Sequence, residues 1–115
     1  MRIGAGGHTY RWVDNWVRLP DTELGRMDKA HHGVVVTEAG EIMIFHEGDP
    51  SVLAFDSEGS LQRSWKSDLT NAHGMTLVKE DGSEYLWLAD DKSGQVVKTT
   101  LDGETVMSLE RPDIE

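Results

Sequence analysis

Two histidine-glycine pairs, His32-Gly33 and His73-Gly74, stand 41 residues apart. Imidazole is the commonest metal ligand and the side chain whose proton moves nearest neutral pH. A second constellation is His46-Glu47, directly after Phe45. A carboxylate near a metal suits a general base or a metal ligand, an arrangement used in metal-assisted hydrolysis, and His46 suits a substrate contact. The plainer readings are a solvated loop glutamate and a hydrogen-bonded polar histidine. Asp90-Asp91 precede Lys92-Ser93-Gly94, and paired aspartates at a turn either ligate a hard cation or accept backbone N–H bonds. His31 reads as a linker residue, and His8, among Gly4, Gly6 and Gly7, as part of an N-terminal arm. The glycines at 4–7 follow no predicted strand and open no helix, so they form no phosphate loop.

The elements that must position these groups are visible in the repeat itself. His32-Gly33-Val34-Val35-Val36-Thr37 recurs as His73-Gly74-Met75-Thr76-Leu77-Val78. After each comes a turn with Gly40 or Gly82, then a second apolar run, Ile42-Phe45 or Tyr85-Ala89. Third runs, Val52-Phe55 and Gln95-Lys98, precede turns at Asp56-Gly59 and Asp102-Gly103; fourth runs end at Trp65 and Leu109, each six residues past its glycine. Short runs of β-branched, aliphatic and aromatic residues between Gly/Asp/Ser turns predict antiparallel strands joined by hairpins. Four such strands in about 41 residues match one blade of a β-propeller. A small sandwich or barrel built by duplication is the alternative. The long connection at 66–72 falls between the units, which favours blades. Tyr10, Trp12 and Trp16 share one parity, which predicts an extra N-terminal strand over 9–17 with one buried face. The segment 21–30 contains Gly25 and no consistent apolar stripe, and reads as loop.

Composition narrows the function classes. In 115 residues there are 21 acidic and 11 basic side chains, a net charge of −10, and no cysteine. Disulfides and thiolate metal sites are excluded, and so acidic a surface argues against nucleic acid and anionic membrane as partners. The first twenty residues carry charges and no apolar run, so no signal peptide or spanning helix is expected and the cytoplasm is the default compartment. Trp65, Leu109, Trp87 and Phe45 read as core, with Met43, Met75 and Met107 filling gaps between blades. Propellers close with about 4 to 8 blades. Two blades cannot close, so the chain is expected to be the N-terminal piece of a longer propeller or a ring-forming subunit, with exposed faces that predict self-association.

The sequence resembles the six-bladed propellers with NHL-type repeats, and within them bacterial proteins similar to peptidyl-α-hydroxyglycine α-amidating lyase. The resemblance is carried by Thr9-Trp16 before Leu19-Pro20, His32-Val36, Phe45-His46-Glu47-Gly48-Asp49, Val52-Asp56, Leu61-Trp65, Ala72-Thr76 and Tyr85-Asp91. It implies zinc in the central channel, held by three histidines from different blades, and calcium held largely by main-chain carbonyls. His73 matches the first zinc histidine; the others would come from blades outside this chain. The carbonyls of Val34 and Met75 match the calcium ligands, which suits a hard cation. His73 is also readable as a channel-lining histidine bonded to water or backbone, and His32 occupies a place that the lyase does not use for zinc. The chain departs from the family at Glu47, where the lyase has a catalytic arginine. A carboxylate there reverses the local field and cannot bind a substrate carboxylate bidentately.

The expectation is an all-β partial propeller: 1–31 an N-terminal arm with an extra strand, 32–71 blade one, 72–110 blade two, and 111–115 a linker. Its function is expected to be that of a lyase-like NHL propeller. That would be a metal-dependent lyase or hydrolase acting on a small polar or peptide-like ligand in the channel, with His73 as metal ligand and Glu47 or His46 facing the substrate. The alternative is a non-catalytic propeller that binds a protein or small ligand.

Overall fold

The computed structural model describes residues 1–18 and 33–112. The loop reading of 21–30, His31, His32, and the end of the expected linker at 113–115 lie outside the described residues. Among the described residues there are ten strands and no helix. They are β1 (Arg2–Ala5), β2 (His8–Arg11), β3 (Gly33–Val36), β4 (Ile42–Phe45), β5 (Val52–Phe55), β6 (Leu61–Trp65), β7 (Ala72–Glu80), β8 (Ser83–Asp90), β9 (Val96–Thr100) and β10 (Thr105–Leu109). The fold is all-β. Two four-stranded antiparallel sheets, β3-β4-β5-β6 and β7-β8-β9-β10, follow one another in simple up-and-down order, an architecture compatible with two blades of a partial propeller.

Glycine turns and short apolar runs produce each meander. Asp56 shows the local logic: its carboxylate accepts the amides of Glu58 (2.9 Å) and Ser60 (3.0 Å), bending the chain between β5 and β6. Gly59 closes that turn at φ +79°, and a Cβ there would strike the Trp16 carbonyl oxygen, so both backbone sign and space demand glycine.

The sheets meet side by side, with the innermost strands β3 and β7 as neighbours. One face of the first sheet supplies Met43, Phe45, Val52 and Ala54, and the second supplies Leu86 and Leu88; Leu69 and Ala72 close the core from the connection and the start of β7. Burying these side chains contributes about 1.5–3 kcal/mol for each large one. Polar ties run along the same junction. Trp65 Nε1 donates to the Leu101 carbonyl (3.1 Å), Arg63 bridges Glu41 (2.7 Å) and Asp102, and Lys79 Nζ donates to Glu38 (2.8 Å). Hydrogen bonding to Lys79, then its charge, holds the Glu38 carboxyl below the usual range; Glu38 likewise raises the Lys79 ammonium.

The other face of the first sheet, Ile44, Leu53 and Phe55, is covered by Trp16 and Val17. This corrects the N-terminal expectation in detail. The strand is present but shorter, and it pairs with a second one: Ala5 faces His8 across Gly6-Gly7, a hairpin made possible by Gly6 at φ +64°. Tyr10 and Trp12 remain 63% and 52% exposed, because Asn15 at φ 51° breaks the extended run and only Trp16 reaches the sheet. No helix in the described residues is long and apolar enough to cross a membrane.

Candidate functional site

The chemistry-bearing residues gather at one end of the two sheets. β4 and β8 end there, β7 begins there, and the loops 46–51, 66–71 and 91–95 form the rim. Ser51 Oγ accepts the Ser67 amide at 2.8 Å, and Lys66 Nζ lies 3.8 Å from Asp49, tying the inter-sheet connection to the first sheet's loop.

His46 is buried, 5% exposed, and its ring braces the loop that follows it. The Gly48 amide donates to Nδ1 (3.3 Å), which leaves the ring proton on Nε2, 2.8 Å from the Pro50 carbonyl. The backbone closes the same loop through His46 N to Ser51 O at 3.0 Å. A His46 that hydrogen-bonded a substrate would have to surrender one of these ring bonds. Glu47, the next residue, is half-buried in this loop.

His73 is arranged differently. The β7–β8 register shifts between Ala72 and Gly74, so His73 is the extra residue of a bulge on an innermost strand. Bulges re-aim side chains. Here the imidazole is 67% exposed at the rim, with Nδ1 3.8 Å from the Asp91 carboxylate. Asn71 orients that carboxylate with its side-chain amide, and the Asp91 amide returns a bond to the Asn71 carbonyl at 3.3 Å.

Asp90 is 4% exposed and organises the rim. It accepts the amides of Asn71 (2.8 Å), Lys92 (3.0 Å) and Ser93 (2.8 Å). Burial pushes its carboxyl up, but the bonds from Ser93, Asn71 and Lys92 together outweigh that and hold it below the ordinary aspartate range. Of its two sequence readings, acceptance of backbone N–H bonds is the one the structure displays.

Val34 and Met75 occupy matching places in β3 and β7, opposite Ile44 and Leu88. Each strand is the first of its sheet, so one backbone edge of each lies outside the ladder. The strands approach closely: a Cβ on Gly33 would sit 2.6 Å from Met75 Cβ. Among the described residues no group of three or more His, Cys, Asp or Glu comes together as a metal site. A rim cavity of about 350 Å³ lies instead between Asp68, Thr70, Asp90, Lys92, Ser93 and Gln95. Sequence reading passed over Asn71 and Asp68, whose roles depend on the 66–71 connection folding back over the ends of β7 and β8; the available signal was an amide and a carboxylate just before the repeated His-Gly.

No family model, curated protein or solved structure matches this chain.

Proposed function

We propose that this chain is a non-catalytic sheet-repeat platform of the NHL-propeller type, which binds a cationic peptide or small ligand at its acidic loop rim. The observation that carries this reading is the use of the rim's chemical groups as scaffolding. The His46 ring is held by Gly48 and Pro50, and Asp90 is held by three backbone amides. Around them Asp49, Asp68 and Asp91 present carboxylates at the surface against Lys66 and Lys92, giving the rim a net negative field. The test is calorimetric titration of the full chain with an oligolysine peptide, with oligoglutamate as control and with chelator in a parallel arm. Binding of oligolysine that survives chelation and weakens in Asp68→Lys supports the platform. Equal binding of both peptides, or none, ends it.

The metal-dependent lyase or hydrolase is the second reading, favoured by the bulge that turns His73 outward beside Asp91. In it His73 binds zinc, the Val34 and Met75 carbonyls bind calcium, and Glu47 serves as base. Zinc content of the full chain measured beside His73→Ala separates the two: a loss in the variant favours the metal reading, and equal content removes it.

A further inference from the structure

Matching the two sheets by strand register shows that the second repeats the first, residue for residue. Gly33 pairs with Phe45 and Gly74 with Ala89, so Met43, Phe45, Val52 and Ala54 correspond to Trp87, Ala89, Val96 and Lys98; Arg63 and Trp65 correspond to Met107 and Leu109. The first set is the face that the second sheet covers. Its counterpart on the second sheet faces outward, with Met107 47% and Leu109 51% exposed. The converse holds at the other end. Met75 and Leu77 pack into the junction, while their counterparts Val34 and Val36 are 60% and 61% exposed on the first sheet's outer face.

The glycines supply an independent observation. At Gly33 a Cβ would collide with Met75, because the neighbouring innermost strand lies against it; at Gly74, its counterpart, a Cβ would meet nothing within 4 Å. A strand glycine costs stability and side-chain packing, and often marks close approach of another backbone. Gly74 has no such neighbour among the described residues. Lys98, which replaces Ala54, is turned onto its own sheet, 7% exposed, with Nζ 4.6 Å from the Tyr85 ring centroid, 5.7 Å from that of Trp87 and 2.5 Å from Glu80.

We infer that the outer face of the second sheet, centred on Gly74 and Trp87, docks the outer face of the first sheet of a second copy of this chain, repeating the internal sheet junction head to tail. Val34 of the incoming copy then takes against Gly74 the place that Met75 takes against Gly33. Trp16 and Val17, half-buried over Ile44, Leu53 and Phe55, occupy part of the incoming face and compete with this contact. Such an interface is heterologous, so its two surfaces are blocked independently.

Sedimentation velocity of the full chain over a concentration series tests this, with circular dichroism confirming that each variant keeps its sheets. The wild type is expected to associate by mass action. Gly74→Val, at a position with open space among the described residues, should weaken association about tenfold or more, as loss of a central close contact does. Trp16→Ala should strengthen it. Val34→Lys/Val36→Lys should be monomeric alone, as should Gly74→Val. Mixed together, the two variants should form a 1:1 dimer, since each retains the surface the other lacks. A wild type that stays monomeric throughout, Gly74→Val that associates like wild type, or a mixture that stays monomeric overturns the inference.

Discussion

The two sheets share one strand order and one pattern of turns, yet they are buried differently. In the first, Met43 and Phe45 are covered by the second sheet and, on the other face, Ile44 and Phe55 by Trp16 and Val17, with Val34 and Val36 left exposed. In the second, one face is packed and the other carries half-exposed Trp87 beneath a lysine, with Met107 and Leu109 open at the outer strand. The contrast teaches that a repeat specifies which residues can be core, while a neighbour decides which of them are. It also explains why residue type alone misassigned Leu109 and Met107 to packing: their counterparts Trp65 and Arg63 are covered because the β9–β10 turn lies over them.

The comparison can be broken most directly by emptying a large side chain on the corresponding face of each sheet. Phe45→Ala removes a side chain with 0% exposure from the junction and should cost about 3–5 kcal/mol. Trp87→Ala on the open face should cost about 1–2 kcal/mol, since the ring retains contact with Lys98 but not with a covering sheet. Urea denaturation of the two variants below the concentration of association checks the ordering, and equal losses would show that the second face is as well packed as the first.

Asp90 sharpens the comparison at the rim, where the first sheet's matching loop uses His46 as its brace. Asp90→Asn removes the charge and should cost about 1–3 kcal/mol by weakening bonds to three amides. Because the folded carboxyl titrates below its unfolded value of about 3.9, its contribution is present in full above that pH and is lost as the pH falls through the lower, folded value. Acid titrations of unfolding free energy should therefore show a drop below about pH 4 in the wild type that is smaller in Asp90→Asn.

The glycine pair gives a smaller and cleaner contrast. Gly33→Ala should destabilise by about 1–3 kcal/mol through overpacking against Met75, whereas Gly74→Ala should fall within about 0.5 kcal/mol of wild type or slightly above it. Thermal melts of dilute protein measure both. Smallest of all is Thr99→Val. The Thr99 hydroxyl is buried with no hydrogen-bond partner among the described residues, at the place where the first sheet has Phe55, so a near-isosteric methyl should be neutral or stabilising by up to about 1 kcal/mol.

Much of the architecture was legible before any coordinates. The fourth runs end at Trp65 and Leu109 as strands β6 and β10 do, because apolar alternation and glycine turns are local signals that each hairpin satisfies within a few residues. The N-terminal arm was less legible. Tyr10, Trp12 and Trp16 share a parity, but β2 ends at Arg11 and the left-handed Asn15 interrupts the strand that would have given that parity one face. At the rim, the spacing of His46, Glu47 and His73 marked the end of the sheets where they lie. It could not reveal that one imidazole is enclosed by its own loop and the other is turned outward by a bulge.

Sequence alone therefore determined the strands of the two repeats, their antiparallel order and the repetition, since these follow from short apolar runs and turn chemistry over short stretches. Tertiary structure alone decided which faces are covered, which glycine is crowded and which is not, and which carboxylate is held by backbone amides. Those properties depend on groups far apart in the chain, brought together only when one sheet lies against the next.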